Sequence, residues 1–160
     1  MEESYINAVQ PVLDEPDALF HGTLHFLKKR MRLKTGKEYF EPFFPGYIFL
    51  QTEETDDTKL RTLAKHSGFL RYLPCTTDIK PLVKTDLDII TSMLKFGTTV
   101  EIVPVMFDEN DRIVILDGPF KNFPGKIIAV NRRNKRVNIQ LDFMNGMRVI
   151  GLTYEEIKKL

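Results

Sequence analysis

Two short apolar segments between residues 112 and 130 are joined by a loop that glycine and proline constrain. The segments Arg112–Leu116 and Gly125–Val130 have the length and composition typical of β-strands. Gly118 permits a positive φ after the first segment, and Pro119 restricts the φ angle that follows. Gly125 then allows a tight turn into the second segment. The sequence therefore predicts two strands connected by a rigid loop.

The same pattern continues to the end of the chain. Further short strands are predicted at Arg136–Leu141 and Met147–Gly151, separated by Asn, Gly and charged residues. About 50 residues with this strand spacing are typical of a small five-stranded barrel. Two aromatic residues of the loop, Phe120 and Phe123, either face a partner or plug the end of that barrel.

Upstream of residue 98 the sequence predicts alternating strands and helices. Residues 24–40 favour a hairpin with a basic tip, and Tyr47–Leu50 is an apolar run typical of a central strand buried on both faces. Asp56–His66 has the apolar spacing of a helix that Thr55 or Asp56 caps. This order of elements predicts a compact α/β domain.

A third helix is predicted to start near Thr85 and to end at Gly97. The spacing of Thr85 to Asp88 is that of a capping box, and the apolar residues that follow recur at helical period. They are Leu87, Ile90 and Leu94. Residues 98–110 are predicted to be a connector, because Pro104 and a polar run interrupt any regular element.

Composition excludes several classes of protein. The 160 residues carry a net charge of only +1, so any basic surface must be local. Cys75 is the single cysteine and stands apart from other soft ligands, which argues against a disulfide or a thiolate metal site and favours a reducing cytoplasm. No secretory signal or membrane-spanning segment is predicted, because no run of 18 apolar residues occurs.

The loop and its flanking strands resemble the KOW motif, which occurs in the NusG family of transcription factors and in several ribosomal proteins. The residues that carry the resemblance are Gly118, Pro119 and Phe120, with Gly125 seven residues after Gly118. Upstream, residues 44–50 resemble the Phe-Pro-Gly-Tyr strand of the NusG N-terminal (NGN) domain. Residues 68–73 and 80–82 resemble the next block of that domain. Two motifs in the right order identify the chain as similar to the NusG family.

The resemblance implies an α+β chain with two domains. Residues 1–97 would form an NGN-type α/β sandwich, residues 98–110 a linker, and residues 111–160 a KOW barrel of the SH3-like type. Family members usually open with an aromatic-bearing strand, whereas here a helix is predicted from Glu2, so that first strand is expected to be missing. Residues 131–136 and 143–152 look closer to specialised paralogues, such as the LoaP antiterminators, than to the housekeeping factor.

The family resemblance also implies the partners. A transcription elongation factor of this kind binds the clamp helices of the largest RNA polymerase subunits and modulates pausing, termination or antitermination. Carried over by motif position, the polymerase-binding residues would be Phe44, Tyr47 and Phe49. Because strand side chains alternate, Ile48 and Leu50 would face the core instead. The alternative for Tyr47 and Phe49 is that both are core residues. The alternative function is that of a ribosome-associated or general RNA-binding KOW protein.

Basic residues form two candidate nucleic-acid surfaces. The hairpin and its tip contain Lys28, Lys29, Arg30, Arg32, Lys34 and Lys37, and the KOW part contains Lys121, Lys126, Arg132, Arg133, Lys135 and Arg136. No acidic residue lies between Lys121 and Leu141, so this stretch predicts contact with nascent RNA. For the hairpin, the resemblance implies contact with DNA phosphates, against the alternative of a solvated surface.

A protein partner competes with RNA for the KOW part. Housekeeping relatives bind the termination factor Rho or a ribosomal protein there, and Phe143 occupies the position of their exposed aromatic residue. Catalysis is not expected, because His21, His25 and His66 are scattered and no nucleotide-binding glycine loop or metal-ligand spacing occurs. The sequence therefore predicts a monomeric regulator with no enzymatic activity, cofactor or metal.

Overall fold

The computed structural model describes residues 1–69, 71–75, 78–121 and 126–157. Its helices are α1 (Glu2–Asp14), α2 (Asp57–Leu60) and α3 (Lys84–Leu94), and a 3-10 helix follows α2 at Arg61–Lys65. Its strands are β1 (Thr23–His25), β2 (Lys28–Arg32), β3 (Glu38–Pro42), β4 (Phe49–Gln51), β5 (Pro74–Cys75), β6 (Asp78–Ile79), β7 (Thr99–Val100), β8 (Val103–Phe107), β9 (Ile113–Ile115), β10 (Lys126–Asn131), β11 (Arg136–Phe143) and β12 (Gly146–Glu156). These elements confirm the α+β class.

The chain divides into two compact units, each built from separate stretches of sequence. Unit 1 comprises Met1–Phe26 and Phe44–Pro81, and unit 2 comprises Leu27–Phe43 and Leu82–Leu160. Unit 1 contains α1, α2 and the two-stranded sheets β1-β4 and β5-β6. Unit 2 contains α3, a three-stranded sheet in the order β3-β2-β7 and a five-stranded sheet in the order β10-β11-β12-β8-β9.

Unit 1 is organised around one face of α1, which begins at Glu2 as predicted. Tyr5, Val9 and Leu13 recur every four residues and are buried, as expected for an amphipathic helix. Two acidic residues in the first turn complement the positive end of the helix dipole. The buried face packs with Phe20 and Leu24, together with residues of α2 and the 3-10 helix, to form the core of this unit.

Gln10 joins α1 to the segment that leads into β1. Its side-chain amide donates to the carbonyl of Gly22 at 3.0 Å, and its side-chain oxygen accepts from the amide of Leu24 at 2.8 Å. One side chain therefore satisfies a donor and an acceptor of the same backbone segment. This arrangement replaces a pair of hydrogen bonds that a neighbouring strand would otherwise supply.

We expect Gln10→Ala to lower the free energy of unfolding by about 1–3 kcal/mol, because it leaves a half-buried amide and carbonyl without their partner. Urea denaturation followed by circular dichroism would measure the change. Asn7→Ala, at an exposed position of the same helix, is the matched control and should change stability by no more than about 0.5 kcal/mol. Equal effects of the two substitutions would show that the bridging bonds contribute nothing.

The five-stranded sheet of unit 2 confirms the four strands predicted after residue 111. Strand β11 pairs with β12 over its whole length, from Arg136 opposite Thr153 to Phe143 opposite Gly146. One face of these strands is buried, and its residues have relative exposures of 8% or less. They are Val137, Ile139, Leu141, Phe143, Ile150, Leu152 and Tyr154.

The expectation that Pro104 interrupts regular structure is wrong, because β8 runs from Val103 to Phe107. Val105 is fully buried in this strand, and the carbonyl of Pro104 accepts a hydrogen bond from the amide of Leu116 at 2.9 Å. The polar run that follows is the turn between β8 and β9. Asp108 closes it by accepting hydrogen bonds from the amides of Asn110 and Arg112, both at 2.9 Å. Strand β8 is therefore part of the five-stranded sheet.

The prediction that Thr85 and Asp88 form a capping box at the start of α3 is wrong. The helix begins at Lys84, and its N-cap residue, Val83, makes no side-chain capping bond. Thr85 therefore lies inside the first turn, past the position where a hydroxyl can cap. The buried face consists of Asp86, Ile89, Ile90 and Met93. Leu87, one of the apolar residues at helical period, is 49% exposed.

The two other predictions for unit 1 met different outcomes. Asp56 caps α2 as expected, because its carboxylate accepts a hydrogen bond from the amide of Thr58 at 2.9 Å. The apolar run Tyr47–Leu50 does not form a central strand. Among the described residues, β4 pairs only with β1 and is half-buried, since this small sheet packs against the core on one side.

Candidate functional site

The predicted polymerase-binding residues lie together at the start of the second stretch of unit 1. The rings of Phe44 and Phe49 meet edge to face with centroids 5.9 Å apart, and Phe44 is only 2% exposed. Tyr47 and Phe49 are half-buried. Ile48 and Leu50 pack against the core of this unit, which confirms the predicted side of the aliphatic pair. Phe44 thus packs beneath Phe49 as a buried residue, and only Tyr47 and Phe49 of these three aromatic residues are partly exposed.

The turn that presents these aromatic residues is held by α1. Gly46 has φ of 84°, a conformation that favours glycine, and the amide of Tyr47 donates to the carbonyl of Phe44 at 3.1 Å. The amide of Gly46 donates to the Glu2 carboxylate at 2.9 Å. Hydrogen bonds to the Glu2 carboxylate from its own backbone amide and from that of Gly46 lower its pKa, which keeps this contact charged. No pattern in the sequence predicted this role for Glu2.

The predicted basic hairpin forms, with Arg30 opposite Phe40 and Arg32 opposite Glu38 in the β2-β3 pair. Alternation along β2 divides its cations between two faces. Lys29 is only 8% exposed, and its ammonium donates to the carbonyl of Gly151 at 2.6 Å. Burial lowers the pKa of Lys29, which the nearby Glu41 carboxylate partly opposes. The expectation of Lys29 as a surface cation is therefore wrong, because it faces the five-stranded sheet.

The other face of the hairpin presents Lys28, Arg30 and Arg32. Arg32 is paired with Glu38 at 3.0 Å and with Glu155 at 3.6 Å. Lys28 and Arg30 lie over the ring of Phe40, at 4.9 and 4.6 Å from its centroid. Phe40 was not predicted as a site residue. It lies opposite Arg30 in the β2-β3 pair, so the alternation of side chains along the two strands puts both residues on the same face.

Two cations of the KOW part contact protein groups, although Arg132 among them remains exposed. Arg132 lies 3.7 Å above the ring of Phe107 and pairs with Asp111 at 3.2 Å. Arg136 is half-buried and donates to the hydroxyl groups of Thr153 and Tyr39. The remaining predicted cations have exposed side chains. They are Lys121, Lys126, Arg133 and Lys135.

Arg133 and Lys135 belong to the turn between β10 and β11. Asn131 pairs with Arg136 across the base of this turn, and its side chain accepts the amide of Asn134 at 3.0 Å. Lys135 has φ of 53°, a left-handed conformation that this tight turn imposes. Together with Arg132, the turn therefore places three exposed cations at one end of the five-stranded sheet.

The first aromatic residue of the KOW motif is buried. Phe120 is 5% exposed and stacks on Phe43 with centroids 5.9 Å apart, which favours the interpretation of Phe120 as a plug. Gly118 has φ of 92°, as its predicted turn requires, and Pro119 follows it in the loop. Gly125 and Phe123 lie outside the described residues.

The prediction that Phe143 is an exposed contact for a protein partner is wrong in this structure. Its side chain is only 1% exposed and belongs to the core of the five-stranded sheet. The next residues, Met144 and Asn145, both adopt left-handed φ angles and turn the chain tightly into β12. The amide of Met144 donates to the buried carboxylate of Asp86 in α3 at 3.2 Å. These contacts turn the ring of Phe143 inward.

Neither a metal centre nor a membrane helix is found in the part of the chain that the structure describes. No group of three or more His, Cys, Asp or Glu side chains there is placed to hold a metal ion. Among the same residues, no helix is both long and apolar enough to cross a membrane.

Comparison with known proteins gives consistent results. The KOW motif family matches residues 109–140. The transcription termination/antitermination protein NusG of Bacillus subtilis (strain 168) is 22% identical over 162 residues, which covers 100% of this chain and 83% of that protein. The NusG proteins of Buchnera aphidicola and Vibrio cholerae are each 24% identical, covering 73% and 74% of this chain. The match spans 65% of the length of each of these two relatives.

The KOW match includes the Gly118–Phe120 turn, and the NusG matches extend beyond the KOW region into the part of the chain that contains the aromatic turn. Two independent sequence features therefore lead to one finding: the chain is similar to the NusG proteins over most of its length, and to the KOW motif family over residues 109–140.

Proposed function

We propose that this chain binds RNA polymerase through the aromatic surface of Tyr47 and Phe49 and regulates elongation while its KOW part contacts nascent RNA. Its similarity to NusG proteins supports a role in transcription elongation and termination, because these relatives are named for termination and antitermination. The observation that carries the polymerase proposal is the aromatic turn of residues 44–49. Its aliphatic side is packed on the core, and its aromatic side retains exposed area.

An aromatic surface of this kind is suited to bind an apolar groove between two helices of a partner protein. Aromatic side chains combine large contact area with few rotatable bonds, so they contribute strongly to binding when they are buried in an interface. Phe44 fixes the ring of Phe49 from below, and Glu2 fixes the turn, so both aromatic groups are ordered before binding. Pre-organisation of this kind reduces the entropic cost of association. The clamp helices of the largest polymerase subunits are the proposed partner.

We expect Tyr47→Ala and Phe49→Ala each to weaken polymerase binding by about tenfold to hundredfold, as interface aromatic residues commonly do. Binding of the full chain to purified core polymerase would be measured by surface plasmon resonance. Leu19→Ala is the matched control, because Leu19 is an apolar residue of the same unit that is 59% exposed. If affinity is unchanged by both aromatic substitutions, the polymerase proposal fails and a general RNA-binding KOW protein becomes the better interpretation.

The second part of the proposal concerns RNA. The turn between β10 and β11 and the flanking strand carry the exposed cations Lys126, Arg133 and Lys135, and acidic residues are absent from this stretch of sequence. Exposed cations on one face are the electrostatic signature of a nucleic-acid surface. Arg132 and Arg136 are engaged with protein groups and are not assigned to this surface.

We expect Arg133→Glu to weaken binding of single-stranded RNA and to reduce the slope of log K against log salt concentration by roughly 0.7 for each phosphate that the protein no longer neutralises. Fluorescence anisotropy at several salt concentrations would measure both quantities. Lys95→Glu makes the same change in net charge at an exposed position on another element and should leave RNA binding nearly unchanged. Equal effects of the two substitutions would mean that only net charge matters, and the proposed surface would be abandoned.

Two finer assignments belong to the same proposal. The polymerase-binding part would be within residues 1–97 and the KOW part would comprise residues 111–160, with β8, from the stretch predicted as a connector, completing its five-stranded sheet. The cytoplasm would be the working compartment. Tethering both activities in one chain would raise the effective concentration of RNA near the polymerase. Transcription across a terminator with purified polymerase distinguishes a LoaP-like antiterminator, which would increase read-through, from a factor that promotes pausing or termination. Adding Rho or a ribosomal protein to the same transcription assay would test whether either is a partner of this chain.

A further inference from the structure

The outer face of the β2-β3 hairpin presents an aromatic ring between cations. Phe40 is 48% exposed in the middle of β3, although large apolar side chains are usually covered. Lys28 and Arg30, on the neighbouring strand, lie 4.9 and 4.6 Å from the centroid of the ring. Exposed lysines at 34 and 37 extend the positive charge around the turn of the hairpin. The face therefore combines a half-exposed aromatic ring with the charge of Lys28 and of the two turn lysines, while its arginines are paired with carboxylates.

The hairpin holds these groups in fixed positions. The Nε atom of Arg30 donates to Glu101 at 2.7 Å, and its guanidinium lies 3.6 Å from Glu38. On the opposite face of β2, Met31 is buried and Lys29 is anchored to the backbone of β12. The strand cannot rotate about its axis without exposing these residues. The ring of Phe40 and the two cations over it are consequently ordered before any partner arrives.

An ordered aromatic ring beside cations matches the chemistry of single-stranded nucleic acid. A base stacks on an aromatic side chain, while neighbouring cations contact the phosphates on either side of that base. In a duplex the base faces are already stacked on one another, so such a ring has no base face to bind. We propose that Phe40 is a stacking platform for one base of single-stranded nucleic acid and that Lys28 contacts an adjacent phosphate, while Arg30, which is paired with Glu101, holds its place over the ring. This inference rests on the proposed function, because it needs the nucleic acid of a transcription complex within reach of the chain, and it adds a contact at the hairpin to the one proposed at the turn between β10 and β11.

Phe40→Ala provides the first test. The full chain would be titrated against labelled oligothymidylate and oligouridylate of about 12 nucleotides, and against a DNA duplex, by fluorescence anisotropy. We expect Phe40→Ala to weaken single-strand binding by about fivefold to tenfold, as removal of one stacking ring commonly does, and to leave duplex binding unchanged. The salt slope should also stay constant, because no charge is removed. Leu33→Ala is the matched control, since Leu33 is 44% exposed at the same hairpin.

Phe40→Trp provides the second test and reports stacking directly. The chain contains no tryptophan, so Phe40→Trp introduces a single indole whose emission a stacked base quenches. We expect quenching that saturates at the same oligonucleotide concentration as the anisotropy signal. Leu33→Trp should show no such quenching. Comparison of the thymidylate and uridylate arms separates a single-stranded DNA source from an RNA source.

The results that would overturn the stacking proposal are distinct from those that would overturn polymerase binding. Unchanged indole emission of the Phe40→Trp variant at saturating oligonucleotide, or equal single-strand affinity of the wild type and Phe40→Ala, would exclude Phe40 as a platform. Failure of the wild type to bind either oligonucleotide would exclude it as well. Polymerase affinity of Phe40→Ala, measured separately, should equal that of the wild type, so the proposed polymerase surface would survive any of these results.

Discussion

Replacing Phe143 with alanine should lower the free energy of unfolding of unit 2 by about 3–5 kcal/mol, the usual cost of truncating a buried aromatic residue. The ring of Phe143 is 1% exposed and lies on the same face of β11 as the buried side chains of Val137, Ile139 and Leu141. Truncation would leave a cavity that the paired strands β11 and β12 cannot close, because their register is set by continuous hydrogen bonding. Urea denaturation followed by circular dichroism would measure the decrease.

Met147→Ala is the control for this prediction. Met147 lies in the same hairpin and pairs with Asp142, but its side chain is 65% exposed. Its truncation should change stability by no more than about 0.5 kcal/mol. If Phe143→Ala were as mild as Met147→Ala and instead reduced binding of a protein partner, the ring would be an interface residue, and the inward orientation would be wrong.

Tyr5→Ala should have a comparable effect on unit 1, again about 3–5 kcal/mol. Tyr5 is 7% exposed, its hydroxyl donates to the carbonyl of Leu63 at 2.9 Å, and its ring lies 6.2 Å from that of Phe69. Tyr5→Phe keeps the ring and removes only the hydroxyl. It should therefore lower stability by only about 1 kcal/mol, the net value of a typical hydrogen bond. The difference between the two variants separates packing from hydrogen bonding.

The same tyrosine should make unit 1 sensitive to alkaline pH. Burial raises the pKa of Tyr5 to about 12 from its ordinary value of 10.0, because the phenolate would lose its hydration. A folded-state pKa above the unfolded one stabilises the protein fully below pH 10, and this contribution is lost as pH rises from 10 towards 12. Burial also raises the pKa of Tyr72, whose hydroxyl donates to the carbonyl of Leu60.

We therefore expect the free energy of unfolding to fall between pH 10 and 12, less steeply in Tyr5→Phe and least in the Tyr5→Phe, Tyr72→Phe double variant. Denaturation at a series of pH values would measure these slopes, and tyrosinate absorbance would report ionisation independently. Identical slopes in the wild type and the double variant would show that neither phenol is protected from ionisation by the fold.

Local patterns in the sequence were sufficient for most of the secondary structure. Apolar residues at helical spacing predicted the helical segment after Asp56, and short apolar runs between turn residues predicted β9 to β12. Glycine marked the turn at Gly118, because a positive φ is costly for other residues. The predictions that failed depended on neighbours distant in sequence. Pro104 lies within β8 although it has no amide to donate, because it stands one residue beyond the last β8-β9 register pair, Val105 and Ile115, and contributes only its carbonyl, which accepts from the amide of Leu116.

Site residues were harder to predict, because exposure depends on tertiary contacts. Lys29 and Arg30 are adjacent cations, and the sequence predicts both as nucleic-acid contacts. In the structure Lys29 is buried against Gly151, whereas Arg30 lies over Phe40. Arg132 and Arg133 are likewise adjacent, and Arg132 is the one that Asp111 and Phe107 engage. Strand alternation and turn geometry separate such neighbours only after the partner elements are known.

The glycine and proline pattern of residues 112–130 and the aromatic turn of residues 44–49 were sufficient by themselves to indicate the family, because both depend on local backbone geometry. Tertiary structure decided which side chains remain accessible. Phe120 and Phe143 are covered by their own unit, whereas Phe40, outside both motifs, is exposed. The physical reason is that backbone conformation is set by neighbouring residues, whereas burial is set by packing between elements that are distant in sequence.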